Sequence, residues 1–114
     1  MKYVIAMIRP ERLDAVKREL QRVEVNRLTV SSASGYGAQG RHLETKATKY
    51  EANLLEKIRL EIAVNDDFLQ PTIDAIKRGA ISKKEGDVGS GKIFVLPLED
   101  VIRIRTNESG RDAI

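Results

Sequence analysis

The chain has 114 residues, 41% of them hydrophobic and 32% charged, with a net charge of +3 and a pI of about 9.3. That length suits one domain with a buried core, and 20 basic against 17 acidic residues gives mild anion attraction rather than a nucleic-acid-binding coat. The absence of cysteine excludes a disulfide framework, a thiolate zinc site and a thiol nucleophile.

No apolar run approaches the roughly 18 residues that span a bilayer, and MKYVIAMIRPE is too short and lacks a cleavage site for a signal peptide. A cytoplasmic location without membrane insertion is the expectation. Tyr3 to Ile8, YVIAMI, reads as a strand covered on both faces or nearly so. Pro10 and Glu11 suit a helix start, and the stripe Leu13, Val16, Leu20 predicts an amphipathic helix from Pro10 to about Val23. Arg27 to Ala33 is rich in Val, Thr and Ser and predicts a second strand.

Gly35 to Glu56 follows with no sustained period of 2 or 3.6. Unstructured connections beyond about 12–15 residues are uncommon in compact domains and usually functional or disordered, so the stretch reads as an arm that reports a ligand held by the body. Lys57 to Val64, KIRLEIAV, then alternates as a strand. Asn65-Asp66-Asp67 predicts a helix N-cap, and Phe68, Leu69, Ile73 and Ile76 supply the stripe. Pro71 is expected in or near the first turn, and Gly79 as the C-terminal stop. Ile93 to Leu98 is the next strand, and Val101 to Arg105 could add a short one before a polar tail.

Two β-α-β units in tandem predict an α+β, ferredoxin-like double β-α-β sandwich. Its four-stranded antiparallel sheet carries two helices on one face, and the long arm joins the second and third strands. The uncovered face asks for something to bury it, for instance a second copy of the chain.

Three stretches carry chemistry. Gly35-Tyr36-Gly37-Ala38-Gln39-Gly40 spells G-x-G-x-x-G, but no amphipathic helix follows to receive a pyrophosphate, so a dinucleotide site is rejected. Gly86 to Lys92 satisfies G-x-x-x-x-G-K, yet Ile93 stands where a phosphate-binding loop needs Ser or Thr. Its glycines could still cradle phosphate through backbone N–H groups, and a plain turn before a strand is an equal reading. In a strand, Arg103 and Arg105 would share a face and could donate together to a phosphate, or simply lie on a solvated edge. His42, the only histidine, sits in the polar arm and suits a surface residue better than a base.

In order and spacing, several segments together resemble the PII nitrogen-regulatory signalling family over nearly the whole chain. They are Arg9-Pro10, Leu28-Thr29-Val30, Gly35-Tyr36-Gly37 with Gln39, Lys57 to Ile62, Gly91 to Val95, Val101 to Thr106 and Asp112-Ala113-Ile114. The resemblance implies one PII-like domain over 1–114 and a homotrimer with adenine-nucleotide sites in the clefts between subunits. It also implies a T-loop at 36–54, a B-loop at 82–91 and a C-terminal loop at 103–114. By that similarity ATP or ADP meets Thr29, Gly35, Gly37, Ala38, Gln39, Glu61, Ala63, Gly89, Ser90, Gly91, Lys92, Arg103 and Arg105. Gln39 matches the magnesium-binding position, and Gln39, Lys57 and Gly89 the 2-oxoglutarate site. Tyr50 aligns with a tyrosine nucleotidylylated in some members, and Thr48 with a serine phosphorylated in others.

The sequence also departs from the family. Gly89-Ser90-Gly91-Lys92 stands in place of G-D-G-K, Ala38 in place of a frequent cation, and the arm lacks Y-R-G-A-E-Y. The expected function is a regulator, not an enzyme, whose T-loop acts on an enzyme, transporter or regulator of nitrogen metabolism. A divergent paralogue with another effector is the alternative, and an acylphosphatase-like hydrolase a weaker one, since Arg9-Pro10 follows the first strand without a glycine-rich cradle. An RNA-binding sheet is disfavoured because aromatic residues for base stacking are few.

Overall fold

The computed structural model describes residues 1–36, 54–81 and 90–114. β1 (Lys2–Ile8) leads through a 3-10 turn (Pro10–Arg12) into α1 (Leu13–Arg22) and β2 (Thr29–Gly35). β3 (Leu55–Val64), α2 (Asp66–Ala80) and β4 (Lys92–Pro97) follow, and a second 3-10 turn covers Gly110–Ala113. Among the described residues the strands form one antiparallel sheet in the order β2-β3-β1-β4. This is the ferredoxin-like arrangement, with the helices packed against one face.

The register explains which face they take. Val4, Ala6 and Ile8 alternate along β1, and Leu60, Ile62 and Val64 along β3; all six are buried in one cluster with Val16, Leu20, Ala75 and Ile76 of the helices. A strand places successive side chains on opposite faces, so Tyr3, Ile5, Met7, Arg59, Glu61 and Ala63 point away from the helices. Phe94 and Leu96 pair with Ile5 and Tyr3 on that open face and are exposed. β1 is therefore half-covered, not sandwiched.

Several boundaries differ from the pattern-based expectation. β2 begins and ends two residues later than Arg27–Ala33, because pairing Thr29 to Glu61 and Gly35 to Leu55 continues as far as β3 offers partners. β3 accordingly starts at Leu55, so Leu55 and Glu56 belong to the sheet. Pro10 opens a 3-10 turn, and the α-helix proper begins at Leu13. Pro71 lies in the second turn of α2, where it removes one backbone donor. Asn65 is the N-cap residue but makes no side-chain cap bond; its amide donates instead to the Arg111 carbonyl at 3.5 Å.

Gly79 is not a stop. It lies inside α2, buried, and a Cβ there would stand 2.5 Å from Val16 Cα. Glycine lets the two helices touch backbone to backbone. Arg12 Nε donates to the Gly79 carbonyl at 2.9 Å across the same crossing. Thr72, also fully buried, satisfies its hydroxyl by donating to the Phe68 carbonyl at 2.7 Å.

The expected strand at Val101–Arg105 does not form. Ile102 and Ser109 make one isolated bridge, and the chain reverses between them: Arg103 N donates to Glu108 O at 2.9 Å and Asn107 N to Arg103 O at 2.8 Å. Asn107 takes a left-handed φ of 59°, which asparagine tolerates better than most residues. The polar final residues are mostly exposed, but the segment is anchored near its end, where Ala113 is buried.

Candidate functional site

The candidate site grows from the open face of the sheet. Thr29 lies opposite Glu61, Ala33 opposite Lys57 and Gly35 opposite Leu55, so Thr29, Gly35, Lys57, Glu61 and Ala63 share the face that the helices leave bare. Arg59 Nη2 donates to Glu61 Oε1 at 3.2 Å, and burial together with a hydrogen bond to Glu61 raises the Tyr3 hydroxyl above its ordinary pKa. The Glu61 carboxylate is thus held between two donors.

Beside it opens a cleft of about 750 Å³ lined by Tyr3, Arg27, Thr29, Glu61, Ala63 and Phe68, among others. Its wall includes Ala113 and Ile114 from the C-terminal segment. Arg103 Nε donates to the Ala113 oxygen at 3.3 Å and Nη2 to the Ile114 main-chain oxygen at 3.5 Å; Nη1 lies 3.5 Å from Glu108 Oε1.

At the other sheet edge stand Ser90, Gly91 and Lys92. Lys92 pairs with Met7, three strand spacings from β2, about 14 Å away. Gly91 adopts φ +120°, and a Cβ there would fall 2.0 Å from the Met7 carbonyl oxygen. Its glycine is required by that close approach, whatever ligand its N–H meets. Ser90, Gly91 and Lys92 also line a smaller apolar groove of about 370 Å³ with Ile73, Ile76 and Ile81.

Within one chain the expected residues therefore fall apart: Thr29, Glu61 and Ala63 line the cleft, Gly35 and Lys57 lie at the arm end of the β2–β3 hairpin, and Ser90, Gly91 and Lys92 stand at the start of β4. Arg103 and Arg105 do not share a strand face, because the turn at 104–106 intervenes. Arg103 folds onto the C-terminal segment, and Arg105 lies on the exposed turn. Gly37, Ala38, Gln39, Thr48, Tyr50 and Gly89 lie outside the described residues, as do 37–53 of the T-loop and 82–89 of the B-loop. Lys57 is half-buried, and burial together with the nearby Arg9 charge lowers its pKa. The Glu11 carboxylate nearby works in the opposite direction, favouring the charged amine.

Pattern reasoning passed over Arg27, Phe68 and Tyr3 as lining residues. Arg27 precedes Thr29 by two positions and could have been flagged by its charge. Phe68 and Tyr3 carry no local signal, since their place on the cleft depends on how the strand ends converge.

The sequence model of the family described as "Nitrogen regulatory protein P-II" matches residues 1–108. The chain belongs to the P-II family. It is 74% identical to nitrogen regulatory protein GlnK1 of Methanosarcina mazei, over all of this chain and 97% of that protein. It is 45% identical to nitrogen regulatory protein P-II of Bradyrhizobium diazoefficiens over the full length of both. The crystal structure of Arabidopsis thaliana PII bound to citrate superposes with a TM-score of 0.78 at 34% identity, covering 98% of this chain and 87% of that one. P-II proteins are signalling regulators, not enzymes, which sets aside the hydrolase alternative. No helix among the described residues is long and apolar enough to cross a membrane.

Proposed function

We propose that this P-II protein binds ATP or ADP in clefts between the subunits of a homotrimer. In the same reading it senses magnesium and 2-oxoglutarate with the nucleotide, and acts through its T-loop on an enzyme, transporter or regulator of nitrogen metabolism. The observation that carries this reading is the division of the candidate residues. Thr29, Glu61, Ala63 and Arg103 gather at one side of the sheet, Gly91 and Lys92 at the other, and a single chain does not bring them around one ligand. A neighbouring copy supplies the missing half. The exposed apolar residues Phe94 and Leu96, beside Ile5 and Met7 on the open face, give such a copy something to bury.

Arginine and lysine from the two halves neutralise the phosphates. Lys57, crowded by Arg9, suits a carboxylate effector, and the citrate carried by the Arabidopsis relative is an anion of that class. Magnesium enters on the nucleotide phosphates, with Gln39 as its protein ligand. Tyr50 and Thr48 are the modification candidates.

The test is calorimetry with ATP and ADP, with and without magnesium and 2-oxoglutarate. Binding is expected in the wild type and is lost in Lys92→Ala and in Arg103→Ala. Mixed trimers of these two variants regain part of the binding, because some clefts then receive Lys92 from one subunit and Arg103 from its neighbour. Absence of binding by the wild type sinks the nucleotide reading. Failure of the mixture to recover sinks the shared cleft.

A further inference from the structure

The C-terminal segment is tied into the cleft by more than chain connectivity. Ala113 is buried. Arg111 reaches back to the start of α2, with Nη1 and Nη2 at 3.4 and 3.2 Å from the two Asp67 carboxylate oxygens. Gly110 N donates both to the Val101 carbonyl at 2.9 Å and to Asp100 Oδ1 at 3.0 Å. The segment so placed presents main-chain oxygens to two arginines. Arg27 Nη1 and Arg103 Nη2 each donate to the Ile114 oxygen at 3.5 Å, and Arg103 Nε donates to the Ala113 oxygen.

Two guanidinium groups converging on one acceptor beside an open cleft form an anion position. Here the protein's own backbone fills it, and all three nitrogens of the Arg103 guanidinium are engaged within the chain. An incoming phosphate competes with the backbone, and at Nη1 with Glu108, for three of the five N–H donors of Arg103. We propose that residues 110–114 form a tethered plug whose main-chain oxygens occupy the anion position between Arg27 and Arg103, so that phosphate groups bind by displacing it.

The plug rests on the adenine-nucleotide reading and adds to it Arg27 as a phosphate-binding residue and an internal competitor. Docked plug and bound anion exclude each other, so whatever loosens the plug tightens the ligand by the same factor. The Arg111–Asp67 pair is a latch outside the cleft, exposed at both partners. Exposed pairs of this kind shift an equilibrium modestly, by a factor of up to about five.

The latch gives a test in which charge and plug predict opposite things. Removing the positive charge of Arg111 should weaken anion binding if only the field mattered, and removing the negative charge of Asp67 should strengthen it. With a plug, Arg111→Ala and Asp67→Ala both tighten ATP, by about two- to fivefold in calorimetry, and the double variant tightens it no further. In the wild type, saturating ATP also speeds amide exchange at Gly110 and Ile114. Unchanged affinity, opposite shifts in the two variants, or exchange at Gly110 unaffected by bound ATP overturns the plug alone. If neither the wild type nor any variant binds ATP, the plug and the nucleotide reading fall together.

Discussion

Gly79→Ala sets two well-characterised effects against each other. In an isolated helix, alanine replaces glycine with a gain of about 1 kcal/mol. In α2 the new methyl would lie 2.5 Å from Val16 Cα, 2.7 Å from Val16 N and 3.0 Å from Ala15 C, whereas carbon atoms pack at about 3.5–4.0 Å. The clashing atoms are backbone and cannot rotate aside, so the helices must part by on the order of 1 Å. That disturbs the packing of Val16 against Ala75 and Ile76 and stretches the Arg12 bond to the Gly79 carbonyl. Overpacking of this kind costs about 1–3 kcal/mol, sometimes more, and rigid neighbours place it near the upper end. A net loss of about 2 kcal/mol is expected, or a Tm lower by roughly 8 °C for a chain of this size. Urea unfolding followed by far-UV circular dichroism, at matched protein concentration because assembly shifts apparent stability, gives the midpoint. A variant as stable as the wild type, or more so, would show that propensity outweighs the crossing, and the reasoning fails.

Gly91→Ala combines a forbidden φ with a Cβ 2.0 Å from the Met7 carbonyl oxygen. It should cost about 3 kcal/mol or more and expose the β4 edge to amide exchange; an unchanged unfolding midpoint would contradict it. Leu60→Ala empties a fully buried core position and should lower stability by about 2–5 kcal/mol in the same assay. Glu19, Asp66 and Asp67 have folded-state pKa values lowered chiefly by hydrogen bonds from Arg78, the N-terminal amine and Arg111 respectively. A depressed carboxyl stabilises the fold above its unfolded value, near 4, and loses that contribution as pH falls through the folded value. Urea midpoints measured from about pH 6 to about pH 3 should therefore fall, and the fall should shrink in Glu19→Gln; a midpoint flat across that range would refute the linkage.

The parts of the fold legible in the sequence were those governed by periodicity. KIRLEIAV alternates because Ile58, Leu60, Ile62 and Val64 face the helices while Arg59 and Glu61 do not. Leu13, Val16 and Leu20 fall on one stripe because α1 buries one side. What periodicity cannot carry is the approach of one backbone to another. Gly79 resembles a helix stop locally, and only the path of α1 above it explains the missing side chain. The same holds for Arg103: VIRIR reads as a strand, but no strand edge receives it, and Asn107 closes a turn instead. The site residues Thr29, Glu61 and Lys57 were reached through family resemblance. Their common face follows from register, which a lone sequence specifies only through its alternation.

The open face also joins the candidate effector position to the arm in mechanical terms. Lys57 sits opposite Ala33, and the last pair of the hairpin, Gly35 with Leu55, lies two residues further along both strands. A carboxylate drawn to Lys57 would lie within about 7 Å of that closing pair along the strand. β2 and β3 run in antiparallel register over seven consecutive pairs from Thr29–Glu61 to Gly35–Leu55, so they respond to a ligand as one ribbon rather than as two independent strands. On the proposed reading, a ligand at Lys57 and a nucleotide reaching Thr29, Gly35 and Glu61 would act on the same ribbon. Any coupling between the two ligands would be reciprocal. On that reading, substitutions at Lys57 and Arg9 on one side, or at Glu61, Tyr3 and Arg59 on the other, would alter such coupling without touching the arm itself.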